Sequence, residues 1–393
     1  MEESFQFYVR RVYLKVQVLL KGYNFLFFGL LALFIPFLPV YLGEQGLSAS
    51  EIGLIIGTGG FVTLIAQPLW GFISDKTKTI RKVMLLLVCS TAISGYFLFN
   101  VNSYVLLVVF TLFVYFFLMP LDPLTESLNF TVSEMARISY GSIRTYGALG
   151  YAVLSLIAGF TMDYFGMSSI AILFVLLGVI SFGIIWLMPN VQASSKPITM
   201  AGLKQVLKNK EMLLFLVLVF ISSVPARMND TFLGIHMLAL GGDTSLIGIS
   251  FFIAATSEIV IFALSFWWLR KGKELEMITI ATFFYFVRFL ASAFVTSPIA
   301  LMVVQILQMV TFPIFYTAAI QYLYQIMPKE WRATGQTVLA LLFFGLSGII
   351  ASYAGGYIYH ELGGHAFYFI ISIMSFMGVL FGIFLMIRKH KRS

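Results

Sequence analysis

Apolar runs of about twenty residues recur along the whole chain, at 22–42, 51–73, 83–101, 104–131, 140–162, 168–188, 212–239, 245–269, 277–296, 298–327, 334–359 and 365–387. No other feature limits the fold so severely. A helix needs roughly 20 such residues to cross the hydrocarbon core of a bilayer, and inside that core every backbone polar group has to be satisfied without water. The ~10-residue alternating strands of an outer-membrane barrel are absent from the pattern, so the walls are helical. Of the 393 residues 60% are hydrophobic and only 11% charged, well away from the composition of soluble domains. The chain reads as an all-α membrane protein with twelve transmembrane helices.

The net charge of +8, from 25 Lys and Arg against 17 Asp and Glu, invites a nucleic-acid reading that the placement of the bases removes. Arg10, Arg11, Lys15 and Lys21 precede the first span. Lys76, Lys78, Arg81 and Lys82 follow the second, Lys196, Lys204, Lys208 and Lys210 sit mid-chain, and a cluster from Arg388 to Arg392 closes the chain. The alternate loops, "GEQGLSAS", "NVNS", "DYFGMSS", "LGGDTS", "TSPI" and "HELGGH", hold no Lys or Arg. By the positive-inside rule both termini and the central linker are cytoplasmic and the protein is a multi-pass plasma-membrane protein. The basic excess is topological, with contact to anionic membrane lipids expected and no nucleic acid. The first apolar run lacks a small-x-small cleavage site, so it is expected to stay as a span. The one cysteine, Cys89, rules out a disulfide framework within the chain and reads as packing.

"PNVQASSKPITMAGLKQVLKNKE" is the longest polar interval and divides the spans into two sets of six. The expected organisation is an N-terminal six-helix bundle at 1–188, a cytoplasmic linker at 189–211 and a C-terminal six-helix bundle at 212–393. The halves echo each other: "GFTMDYFG" at 159–166 and "GYIYHELG" at 356–363 stand at an offset of 197. Repeated bundles of this kind are a common plan among secondary transporters.

An ionisable side chain inside a span costs at least ~2.5–3.5 kcal/mol on insertion scales and is a functional candidate by default. There are seven: the acids Asp122, Glu126, Asp230 and Glu258, and the bases Arg144, Arg227 and Arg288. Antiparallel neighbours joined by a short loop bring together residues equidistant from the loop's middle, since each helix rises ~1.5 Å per residue. Glu126 and Arg144 are centred on Met135 and should meet. Arg227 and Glu258 are centred between Gly242 and Asp243, and Glu258 and Arg288 on Lys273, so Glu258 is expected to face two arginines. Arg227 and Asp230 share one helix face. Four acids against three bases leave one acid without a full partner. Asp122, the acid farthest from a base, is the expected proton carrier, with Asp230 beside it in that role. Buried ion pairs also occur merely to join helices. Against that alternative, Pro120, Pro123, Pro225 and Pro313 break the same spans, and broken helices tend to line a cavity near the midplane. Tyr146 follows Arg144 closely, and Tyr151, at i+7, shares its face and could stack on a flat ligand. His236, the one His within a span, is read as a satisfied polar group near a helix end.

With those residues in view, "QPLWGFISDKTKTIRK" (67–82) resembles the loop 2–3 signature of the major facilitator superfamily: a Gly, an acid four residues on, and a basic cluster. "FIPFLPVYL", "PLTESLNF" and "YGSIRTYGALGY" are similar more narrowly to the lactose permease branch, with its related nucleoside and phenylpropionate permeases. The resemblance implies the major facilitator fold and a gating role for Gly71, Asp75, Arg81 and Lys82. It also implies a substrate site at Glu126, Arg144 and Tyr151, with Arg227, Glu258 and Arg288 as further substrate contacts. Two departures carry consequences. Lys78 occupies the position of the signature's central Gly. Gln308 and Thr311 replace the His and Glu that couple protons in the permease, and Ile261 replaces a sugar-binding Asn, so any proton has to travel on other carboxyls.

The expected function is proton-coupled secondary active transport, as symport, of a small polar solute such as a sugar or nucleoside. The alternative is proton-driven efflux of amphipathic compounds or drugs. H-E-x-x-H, a cysteine–histidine cluster and the G-x-x-x-x-G-K-[ST] phosphate loop are all missing from the sequence, which speaks against an enzyme or an ATP-driven pump. No metal or cofactor is expected, and the partners are the solute, a proton and membrane lipid, with the chain working as a monomer.

Overall fold

The structure, a computed structural model, describes residues 2–136, 139–190, 208–270 and 272–391. Most of the expected linker, at 191–207 with Lys196 and Lys204, lies outside these residues, as do Arg392 and the side chains of Arg10, Arg11 and Lys15. The elements are helices in the order α1 (Glu2–Phe34), α2 (Leu38–Glu44), α3 (Ala49–Thr77), α4 (Ile80–Leu98), α5 (Tyr104–Leu118), α6 (Leu121–Ala136), α7 (Tyr140–Phe165) and α8 (Ser169–Leu187). There follow α9 (Lys210–Ala239), α10 (Thr244–Ala263), α11 (Ser265–Trp268), α12 (Glu274–Phe294), α13 (Pro298–Val304), α14 (Phe312–Ile326), α15 (Arg332–Ala340) and α16 (Ser347–His390).

Among the described residues, eleven helical segments are long and apolar enough to cross a membrane. Twelve runs were expected, and the difference lies in the last segment, Thr334–His390, which at 57 residues carries two of them. They are divided at Gly363, whose φ of 75° and ψ of 171° are not helical. This combination of angles is open essentially to glycine alone.

By internal contacts the chain forms two compact units, Met1–Leu38 with Phe61–Lys196, and Pro39–Gly60 with Pro197–Ser393. In the first, α1 packs on α7 and α8, and α4 on α5 and α8. A Cβ at Gly150 of α7 would overlap the carbonyl oxygen of Phe25, so this glycine lets the α1 and α7 backbones touch. Cys89, expected as packing, is exposed on α4, whose buried face is carried by Leu87, Val88 and Thr91 among others. In the second unit α16 packs on α9 and α12 around an aromatic core that includes Phe215, Phe232, Phe289, Phe315, Tyr285 and Tyr368. The Pro39–Gly60 segment joins this unit through Thr58, whose Oγ1 lies 2.9 Å from Tyr353 Oη.

Some helix breaks fall at proline, but Pro225, expected to break its span, lies inside the unbroken α9. Between α5 and α6 the chain passes Met119 and Pro120, and Pro123 sits in the first turn of α6, where no intrahelical N–H is needed. The span expected over 298–327, with a break at Pro313, is interrupted before that residue: α13 ends at Val304, a 3₁₀ segment covers Gln305–Val310, and α14 restarts at Phe312. A π-helical segment, Leu341–Leu346, precedes α16. Such distortions in the i→i−4 ladder often accompany functional sites.

Candidate functional site

In the first unit, α6 sorts its polar residues by face. Thr125 and Asn129 point to α1, where both are fully buried: Thr125 Oγ1 lies 3.0 Å from Tyr23 Oη, and Asn129 exchanges two 2.7 Å hydrogen bonds with Asn24. These bonds satisfy the buried amides and so set the rotation of α6 against α1. The adjoining face, one residue on, carries Asp122 and Glu126.

Glu126 meets Arg144 of α7, Oε1 to Nε at 3.1 Å, with both side chains partly exposed, at 30% and 42%. Tyr140 donates its hydroxyl hydrogen to Glu126 Oε2. On the other side, the Arg144 guanidinium lies 4.0 Å from the centre of the Phe28 ring, a cation–π stack from α1. The ring under Arg144 is therefore Phe28, and Tyr146, one of the two tyrosines expected beside that guanidinium, takes the Lys21 ammonium at 5.0 Å. Sequence spacing could not find Phe28, which is 116 positions from Arg144 and comes to it only through the contact of α1 with α7. Asp122 has no ion pair within 4.0 Å among the described residues, although Arg144 and Glu126 are its charged neighbours.

The second unit holds a more buried polar cluster. Arg227 Nη2 pairs with Asp230 Oδ2 at 2.8 Å within α9, and its guanidinium lies 5.1 to 6.0 Å from the ring centres of Phe312, Phe343 and Phe344. Asn229, beside this pair, donates to Asp230 Oδ1 at 3.4 Å and accepts from Tyr368 Oη at 3.2 Å. Arg288 of α12 is only 3% exposed. Its Nη2 and Nη1 donate to the side-chain oxygens of Gln305 and Gln308. Glu258 of α10 was expected to face Arg227 and Arg288 directly, and it ion-pairs with neither: its hydrogen-bond donor is Gln308 Nε2 at 2.7 Å. The cause is local geometry. In a 3₁₀ turn residues three apart eclipse one another, so Gln305 and Gln308 both reach the same guanidinium, and Gln308 stands between it and Glu258. Two glutamines three apart in an apolar span were the available signal.

His236, expected as a satisfied polar group near a helix end, is buried and satisfied at one ring nitrogen. Its Nδ1 lies 3.1 Å from Tyr359 Oη, its ring centre is 5.6 Å from that of His365, and its Nε2 has no hydrogen-bond partner.

At the loop between α3 and α4, Thr79 caps α4 by accepting from the Lys82 N–H at 3.3 Å, and its hydroxyl donates to Asn190 Oδ1 at 2.5 Å. Arg81 Nη1 donates to the Met188 carbonyl at 2.9 Å, placing a cation at the C-terminal end of α8. Gly71 and Asp75 lie on α3, and the Asp75 carbonyl accepts from the Lys78 N–H at 3.3 Å. Lys78, in place of the signature's glycine, has φ 52°.

Residues 17–371 match the model of the MFS_1 like family. The chain is 29% identical over 387 residues to the uncharacterized transporter YwbF of Bacillus subtilis, covering 95% of this chain and 94% of that one. To the maltose permease of Geobacillus stearothermophilus it is 27% identical over 373 residues, covering 94% of each. A crystal structure of nucleoside transporter NupG superposes with a TM-score of 0.82 at 16% identity, over 94% of this chain and 98% of the other.

Proposed function

The chain belongs to the MFS_1 like family, a multi-pass membrane transporter of small solutes with the major facilitator fold, and from that premise we propose that it is a proton-coupled symporter of a sugar or nucleoside. In this proposal the solute binds at Glu126, Arg144 and Tyr151 of the first unit and at Arg227, Glu258 and Arg288 of the second, and transport proceeds by alternating access. Asp122 and Asp230 are assigned to the proton. The protein works as a monomer in the plasma membrane with both termini in the cytoplasm, an orientation supported by the Lys and Arg of alternate loops.

The observation that carries the proposal is the Glu126–Arg144 pair, held between Tyr140 and Phe28 with both side chains still partly exposed. A guanidinium offers only donors and an ionised carboxylate only acceptors. Side by side they match a solute hydroxyl, which donates and accepts at once. The fixed ion pair leaves no surplus charge, which suits a neutral polar solute better than a lipophilic cation. The name of the maltose permease relative supports a sugar.

A thermal-shift screen of the purified protein against sugars including maltose, nucleosides, aromatic acids and drugs tests this. A sugar or nucleoside should raise the melting temperature. Arg144→Ala should weaken that solute's binding about 10–100-fold, the worth of a hydrogen bond to a charged group. Hits confined to hydrophobic cations that persist in Arg144→Ala would overturn symport of a polar solute in favour of efflux.

A further inference from the structure

Of the four intramembrane carboxylates, Asp122 in the first unit and Glu258 in the second make no ion pair among the described residues, and Glu258 is the one that a neutral amide holds off from a guanidinium. Glu126 and Asp230 each touch a guanidinium, at 3.1 and 2.8 Å. Glu258 lies among three charged groups, Arg227 and Asp230 of α9 and Arg288 of α12. Arg227 is already paired with Asp230, and Arg288 is held off by Gln308.

The orientation of Gln308 is forced. Arg288 can only donate and an ionised Glu258 can only accept, so the amide must turn its oxygen to the arginine and its nitrogen to the carboxylate. Three contacts hold it there: Arg288 Nη1 and, at 3.3 Å, Thr311 Oγ1 on its oxygen, and Glu258 Oε1 at 2.7 Å from its nitrogen. Gln305 takes the second nitrogen of Arg288 and is itself tied to the Leu301 carbonyl at 3.0 Å. The guanidinium is thus clasped by two neutral oxygens, with its Nε buried and without a hydrogen-bond partner among the described residues. A buried cation of this kind would gain from a carboxylate, and one stands a single amide away.

Protonating Glu126 or Asp230 breaks a direct ion pair. At Glu258 no ion pair is broken: a proton from water forms an O–H bond on Oε2, and Oε1 keeps its bond from Gln308. Release reverses the step and returns the proton to water. We propose that Glu258 is a proton-binding site of the second unit, and that Gln308 is the positioning residue that keeps it one by separating it from Arg288. The assignment of this proton to solute transport rests on the symport reading above. It shifts the role of Glu258 from solute contact alone to the group whose charge changes within the cycle.

The test needs no solute. In infrared spectra of the liposome-reconstituted protein, the protonated-carboxyl C=O stretch should grow as the pH of the buffer is lowered. One component of that band should be lost in Glu258→Gln. The same component should be lost in Gln308→Leu, where Arg288 is free to pair with Glu258, and should return when Arg288→Gln is added to Gln308→Leu. Asp122→Asn should retain it. A Glu258→Gln spectrum superimposable on the wild type, or a Gln308→Leu spectrum that keeps the component, overturns the proposal. If Gln308→Leu does not fold, Gln308→Met removes the same amide and carries the same two outcomes. A solute screen without hits would overturn the symport reading and leave this band as it is.

Discussion

Lys78 illustrates what one residue's backbone can reveal. Its φ of 52° lies in the left-handed region, where a side chain costs roughly 1–2 kcal/mol, at the position where the loop 2–3 signature has glycine. The loop adopts a glycine-favouring conformation without the residue that makes it easy. Lys78→Gly should relieve that strain at the expense of ~0.5–1 kcal/mol of extra chain entropy, for a net gain of about 0.5–1 kcal/mol, read as a higher melting temperature. An unchanged or lower melting temperature would show that the Lys78 side chain contributes more than its strain. At the same scale, the Glu126–Arg144 pair was legible because both residues carry charge and flank one short hairpin. The partners of Gln308 were not, because two glutamines three apart mark a polar spot in an apolar run without saying which charged groups they join.

At the scale of elements, the two glycines that end the repeated segments make the clearest case. Gly166 follows α7 with φ 83° and ψ 163°, and Gly363 divides the last two spans with φ 75° and ψ 171°. They are the residues matched by the offset of 197, so the repetition in sequence is also a repetition in backbone conformation. A Cβ at either position would meet nothing within 4 Å, and the whole effect of a side chain is therefore conformational. Gly166→Ala and Gly363→Ala should each destabilise by about 1–3 kcal/mol, and the double variant by close to the sum. Thermal melting of the three variants checks this, and an alanine tolerated at either position would show that the turn can relax. The break in the span holding Gln305 and Gln308 was only half legible. Pro313 announces a break, but the 3₁₀ turn precedes it, and only the packing of that turn on α10 and α12 gives it a reason.

For the whole molecule, the proposed cycle separates solute binding from proton use within the first unit. Asp122 has no ion pair among the described residues, whereas Glu126, one turn along α6, is engaged by Arg144 and Tyr140. Asp122→Asn should accordingly keep the thermal shift produced by the solute, and exchange down a solute gradient in liposomes. It should lose accumulation driven by a pH gradient, by tenfold or more. Full uphill accumulation in Asp122→Asn would remove Asp122 from the proton's path and leave Asp230 and Glu258 as the candidates.

The amino-acid sequence by itself determined that the chain crosses a membrane many times as helix, where those helices lie, and which few residues carry charge inside them. It could do so because the cost of placing apolar or charged groups in hydrocarbon is a property of each segment, independent of its neighbours. Tertiary structure alone decided which groups those charges meet: Phe28 under Arg144, Tyr368 on Asn229, and Gln308 between Glu258 and Arg288. Those partnerships depend on how each helix is rotated and how closely it packs. That rotation is set by contacts such as Asn24 with Asn129, 105 positions apart, which no local pattern encodes.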